Sequence, residues 1–177
     1  MARSHSNTAE FLFSLMTDNG LRPIDVERLT LKNARELLDQ GKSKILGKGR
    51  NGGEEGLLVM SPMTRKPLMI YLSERLKMPE SENFEELMLE IRRDGRTRPF
   101  TRYHIYQPVR DILVALGLDV SPKDLRKTCG NRVYRETRDV AMTALILRHL
   151  SPGTSFHHYI GACETDQRDV QLRLAQK

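Results

Sequence analysis

Cysteine is scarce in this chain, and so are long apolar runs. Two cysteines, Cys129 and Cys163, are too few for a disulfide framework. His149, His157 and His158 lie near Cys163, but these residues lack zinc spacing and no acid stands in register with them, so no metal site is expected. The longest apolar runs resemble Leu57-Leu58-Val59-Met60, far below the roughly 20 residues of a membrane span. The start, Met1-Ala2-Arg3-Ser4-His5, precedes no apolar signal core, so membrane and secreted readings are set aside. Repeats and low-complexity stretches are absent. The glycine-rich stretch at residues 47–53 lacks the Gly-Lys-Ser/Thr ending of a nucleotide-binding P-loop. What the chain does have is cations. In 177 residues it carries 29 Lys+Arg against 23 Asp+Glu, a net charge of +6 and a pI of about 9.5. The length suits one domain with a core of its own. A total of +6 identifies no partner, so the placement of the cations has to decide.

Apolar spacing predicts a helix over residues 8–16, with Thr8 as N-cap and Gly20 closing it. Pro23 suits the first turn of a second helix over 23–29, and a short helix follows at 34–38. Lys44-Ile45-Leu46 and Leu57-Leu58-Val59-Met60 read as two strands joined by the turn Gly47-Lys48-Gly49-Arg50-Asn51-Gly52-Gly53. Helices are expected at 64–76 and 84–92, then a polar loop at 94–99. Further helices are expected at 101–116 closed by Gly117, from Ser121-Pro122 through 123–135, at 140–147, at 154–160 and along the tail at 164–177. The fold class expected is mainly α with a small antiparallel β-sheet (α+β).

Four segments set cations beside breaks in the chain. They are Gly20-Leu21-Arg22-Pro23-Ile24-Asp25, the turn around Lys48, Lys123-Asp124-Leu125-Arg126, and Leu147-Arg148-His149 followed by Thr154-Ser155-Phe156-His157-His158-Tyr159. In this order the chain resembles the catalytic domain of the tyrosine recombinases, the phage-type integrase family. Arg22, with an acid three residues on, is similar to the family's first arginine box, and Lys48 to its hairpin lysine. Lys123-Asp124-Leu125-Arg126 resembles the His-x-x-Arg box with lysine in the histidine's place, as in some branches such as archaeal viral integrases. Leu147-Arg148-His149 resembles a Leu-Gly-His segment, with Arg148 replacing the usual glycine. Tyr159 falls at the nucleophile. Arg126 to His149 is 23 residues and His149 to Tyr159 is 10, both close to the family's intervals.

The resemblance implies a chemistry that these residue types suit. Guanidiniums such as Arg22 and Arg126 bind the non-bridging oxygens of a phosphodiester bidentately, and His149 adds a hydrogen bond. Tyr159 would attack phosphorus to give a 3′-phosphotyrosine and a free 5′-hydroxyl, so that rejoining needs no ATP. Lys48 would protonate the leaving 5′-oxygen; Lys123 would either move a proton or bind phosphate. Asp25 would support Arg22 through a salt bridge. No cofactor and no metal are implied. Arg92, Arg93, Arg96, Arg98 and Arg102 form the densest basic run: either a solvated loop or a set of DNA-backbone contacts.

The organisation expected is a catalytic domain over residues 1–163, no N-terminal core-binding domain, and a C-terminal helix at 164–177 that docks on a neighbouring protomer or packs on its own domain. The partners implied are double-stranded DNA and further copies of the chain, a tetramer on DNA and a monomer free, with no membrane; the location implied is cytoplasmic and DNA-associated. Two other readings stand beside this one. One is a type IB topoisomerase-like or telomere-resolving enzyme, and the other a catalytically idle DNA-binding regulator of the same fold.

Overall fold

The computed structural model describes residues 2–48 and 53–149, with side chains from residue 7 on. Expectations on Tyr159, His157, His158, Cys163 and the 164–177 tail lie outside the described residues, as does the hairpin tip at 49–52. Seven α-helices are described: α1 (Ala2–Thr17), α2 (Pro23–Glu27), α3 (Leu31–Gln40), α4 (Pro62–Arg75), α5 (Arg102–Ala115), α6 (Pro122–Thr137) and α7 (Val140–Ile146). Two antiparallel hairpins accompany them, β1 (Lys42–Gly47) with β2 (Glu54–Val59), and β3 (Leu89–Ile91) with β4 (Thr97–Pro99). The chain forms two compact units, Met1–Cys129 and Gly130–Lys177.

The first unit is built around one apolar core. Phe11, Leu12, Leu15 and Met16 recur at helical spacing on α1 and are buried with Val26, Leu29, Leu37, Ile45, Leu58, Leu68, Tyr71, Ile105 and Val109. Thr8 is not an N-cap, because α1 begins six residues earlier. Gly20 ends this segment in the left-handed region (φ 60°), which brings the Leu21 N–H to the Leu15 carbonyl at 3.0 Å. Strand β1 alternates as its sequence demands. Ser43 and Ile45 face inward, while Lys42, Lys44 and Leu46 face out.

Polar side chains anchor the root of the first hairpin. Asn33 on α3 donates to the Ser43 hydroxyl (2.9 Å) and the Lys44 carbonyl (2.8 Å). On the other strand, Asn19 donates to the Val59 carbonyl (2.8 Å) and accepts from the Thr64 hydroxyl (2.6 Å). The hairpin therefore springs from fixed ground toward Lys48.

The expected helix at 84–92 is not formed. Phe84, Leu87, Met88 and Ile91 fit a helical period, yet this stretch is extended and enters β3. The physical reason is that its backbone groups are taken elsewhere. The buried Arg75 guanidinium donates to the carbonyls of Ser81 (3.2 Å), Phe84 (2.7 Å) and Glu86 (2.9 Å). Glu85 O accepts from Leu31, Leu87 N–H donates to Leu29 O, and Met88 O accepts from Phe100 N–H. A helix would need the Phe84 carbonyl for Met88. The expected polar loop at 94–99 is instead a turn through Gly95 (φ 81°) and strand β4, so the protein has a second small sheet.

Candidate active site

Arg22 owes its conformation to its neighbours. The residue before a proline is driven to extended backbone, and Arg22 has φ −83° and ψ 155°. Pro23 then opens α2 with its ring pre-set for a helix. Asp25, three residues on, turns back so that its Oδ2 accepts the Arg22 N–H at 3.0 Å. The same oxygen lies 3.8 Å from the Arg22 guanidinium, whose side chain is 28% exposed while that of Asp25 is 1% exposed. The salt bridge expected between these two residues is thus present.

The second oxygen of Asp25 reaches further. Oδ1 accepts the Lys48 N–H at 3.1 Å. One buried carboxylate therefore ties the arginine to the hairpin lysine, whose own side chain is exposed. The Gly47 carbonyl, on the same peptide unit as that N–H, accepts from the Arg28 guanidinium at 2.6 Å. Gly53 closes over this bond. A Cβ there would fall 2.5 Å from Arg28 Nη1 and 2.6 Å from Gly47 O, and its φ of 135° also demands glycine. Arg28 and Gly53 were not among the expected site residues. The spacing Asp25-to-Arg28, one helical turn, puts these two side chains on a shared side but gives no sign of the distant Gly47 carbonyl or of Gly53.

Arg126 joins this group. Its side chain is buried, and its guanidinium donates to the Gly20 carbonyl, two residues before Arg22. Lys123, one turn earlier on α6, is exposed. Next to it, the Ser121 hydroxyl (2.6 Å) and N–H (3.0 Å) donate to Asp124. These bonds, the hydroxyl first, hold the Asp124 carboxyl below the usual carboxylate range. The structure thus brings together Arg22, Asp25, Lys48 and Arg126.

His149 lies in the second unit and follows α7 in a Schellman turn: its N–H donates to Ala144 O (2.9 Å), and Arg148 N–H donates to Leu145 O (3.0 Å). This turn requires Arg148 in the left-handed region (φ 51°), where a non-glycine residue costs about 1–2 kcal/mol. That geometry explains why glycine suits the position before the histidine.

The basic run is not uniform. Arg98 pairs with Glu90 (2.5 Å), Arg92 with Asp94 (3.8 Å), and Arg102 with Glu27 at the end of α2 (3.3 Å). Arg93 and Arg96, at the β3–β4 turn, are exposed and make no ion pair among the described residues. No described cluster of His, Cys, Asp and Glu has the makings of a metal site, and no described helix is long and apolar enough to cross a membrane.

No family model matches the chain. It is 28% identical over 162 residues to a probable integrase/recombinase, YoeC, of Bacillus subtilis (strain 168), covering 89% of this chain and 80% of that protein. The crystal structure of XerA recombinase superposes on it with a TM-score of 0.71 at 20% identity, over 98% of this chain and 63% of that one. The XerH site-specific recombinase, solved after cleavage on its palindromic difH substrate, gives 0.73 at 20% identity, over 96% of this chain and 47% of that one. The chain thus spans about half to three fifths of the length of these solved recombinases. The mainly helical fold with its two small hairpins is that of the tyrosine recombinase catalytic domain. Beyond the fold, the likeness in sequence is to one probable integrase/recombinase.

Proposed function

We propose that this chain cleaves and rejoins double-stranded DNA at specific sites through a phosphotyrosine at Tyr159. The observation that carries the reading is the gathering of Arg22, Lys48 and Arg126 about the loop from Gly20 to Asp25, with one buried carboxylate bonded to the first two. Arg22 and Arg126 bind the non-bridging oxygens of the scissile phosphate, and His149 donates to the same group. The Tyr159 oxygen bonds to phosphorus as the bond to the 5′-oxygen breaks. The 5′-oxygen takes a proton from the Lys48 side chain, and the phenol proton passes to solvent, with Lys123 either assisting that transfer or binding the phosphate. Rejoining is the reverse. Arg92, Arg93, Arg96, Arg98 and Arg102 hold the flanking backbone, with Arg93 and Arg96 the two not engaged by carboxylates among the described residues. On DNA the chain assembles as a tetramer through its 164–177 tail.

The test is a nicked suicide substrate carrying a candidate site, incubated with the protein and resolved on a denaturing gel. A covalent adduct is expected from the native chain and none from Tyr159→Phe. No adduct from the native chain identifies an idle DNA-binding protein. An equal adduct from Tyr159→Phe removes the nucleophile assignment. Relaxation of supercoiled DNA without site preference identifies a topoisomerase instead.

A further inference from the structure

We propose that Arg28 is a positioning residue that, with Asp25, fixes the peptide from which Lys48 projects; the proposal rests on the reading of Lys48 as the proton donor. Lys48 is exposed, so packing does not hold its side chain in place. What is held is the peptide unit before it. Its carbonyl, Gly47 O, accepts from Arg28 at 2.6 Å, and its N–H, on Lys48, donates to Asp25 at 3.1 Å. The two side chains come from one helical turn, three residues apart, and carry opposite charge. One therefore grips the acceptor and the other the donor of a single planar amide, and both bonds are charge-assisted.

A planar amide gripped on both edges cannot rotate about the chain axis. The position of the Lys48 Cα, from which the side chain leaves the hairpin, is set accordingly. Gly53 completes the arrangement from the opposite strand, since its lack of a Cβ leaves room for the Arg28 guanidinium. Among the described residues, 47 and 54 are the last pair in the β1–β2 register, and Lys48 follows directly after them. A lysine has a long flexible stem, and a displacement of about 1 Å in a catalytic group costs on the order of 100-fold in rate. Arg28 acts through Lys48 and does not itself meet the phosphate.

The test separates positioning of the proton donor from general structural support. In the full chain, Arg28→Met, Lys48→Ala and the double variant are compared on two nicked DNA substrates. One carries the ordinary bridging 5′-oxygen, the other sulfur in its place. A 5′-thiolate leaves without a proton, because thiols ionise near pKa 8.5 whereas an oxygen leaving group, like water, ionises only far above that. Arg28→Met is expected to slow adduct formation about 10–100-fold on the oxygen substrate and to match the native chain within a few-fold on the sulfur substrate. Lys48→Ala follows the same pattern, and the double variant is no slower than Lys48→Ala alone. Equal losses on both substrates, or additive losses in the double variant, overturn the proposal.

A second measurement does not depend on turnover. Amide exchange at Lys48 is expected to quicken at least about 10-fold in Arg28→Met, while core amides such as those of α1 keep their protection. Unchanged exchange at Lys48 overturns the clamp whatever the cleavage data show. If the native chain forms no adduct on either substrate, the recombinase reading fails and takes the catalytic role of Arg28 with it, while the exchange result still decides whether the clamp exists.

Discussion

Alkaline pH should loosen the packing that supports the β3–β4 hairpin, and Tyr71 is the group to watch. Its ring is fully buried and stacks on Phe11 with centroids 5.2 Å apart. Its hydroxyl donates to the Leu87 carbonyl (3.3 Å) and accepts the Leu89 N–H (3.0 Å), just where β3 begins. Burial, the largest influence, pushes the phenol up from 10.0 to about 12. The folded chain therefore keeps this proton between pH 10 and about 12, while the unfolded chain gives it up. The resulting stability is fully present below pH 10 and lost as pH rises through about 12. At 1.36 kcal/mol per pKa unit, the two-unit shift amounts to about 2–3 kcal/mol. Lysines titrate in the same range, so the comparison must be with Tyr71→Phe, which lacks this proton but keeps every lysine. Near pH 8 the variant should be less stable by about 1–3 kcal/mol, because the Leu89 N–H loses its acceptor. Urea unfolding followed by circular dichroism should show this gap narrowing above pH 10. A gap that stays constant up to about pH 11, or tyrosinate absorbance in which all five tyrosines titrate together near pH 10, would refute the reasoning.

Two further outcomes follow from the site. Asp25→Ala removes a buried carboxylate and leaves the part-buried N–H groups of Arg22 and Lys48 without their acceptor, so urea unfolding should register a loss of about 1–3 kcal/mol; a loss below about 0.5 kcal/mol would count against the bridge. Replacing Arg93 and Arg96 by alanine should weaken DNA binding at low salt and reduce the slope of log K against log salt by about 1–2, with thermal stability unchanged. Equal slopes for the variant and the native chain would mean that the hairpin tip does not meet phosphate.

Much of the architecture was legible wherever a local rule and the tertiary fold agree. Gly117 was expected to close the helix over 101–116, and it does so at φ 70°. The first hairpin was read from two short apolar runs and the glycine-rich turn between them, and its strands differ from expectation only at their ends. Arg22, Asp25, Lys48 and Arg126 were expected together from a resemblance spread over more than 100 residues, and they do converge. The 84–92 stretch was misread because a helical period in apolar residues reports burial on one side, not which groups take the backbone hydrogen bonds. Arg28 went unnoticed because a surface-type arginine carries no local sign that a distant carbonyl will meet it.

The sequence by itself determined the conformation of the Arg22 turn. Pro23 restricts the residue before it, and an acid at the third helical position is placed to turn back to that N–H, so both effects act within four residues. It also determined the amphipathic face of α1 and the places where glycine breaks the chain. The tertiary structure alone decided that the Asp25 carboxylate has a second partner 23 residues away, that Arg75 takes the carbonyls a helix would have used, and that Arg126 reaches the Gly20 loop from a helix 106 residues further on. Such bonds join groups whose separation along the chain carries no periodic signal. They exist because burial of the shared core brings donors and acceptors together where water cannot satisfy them.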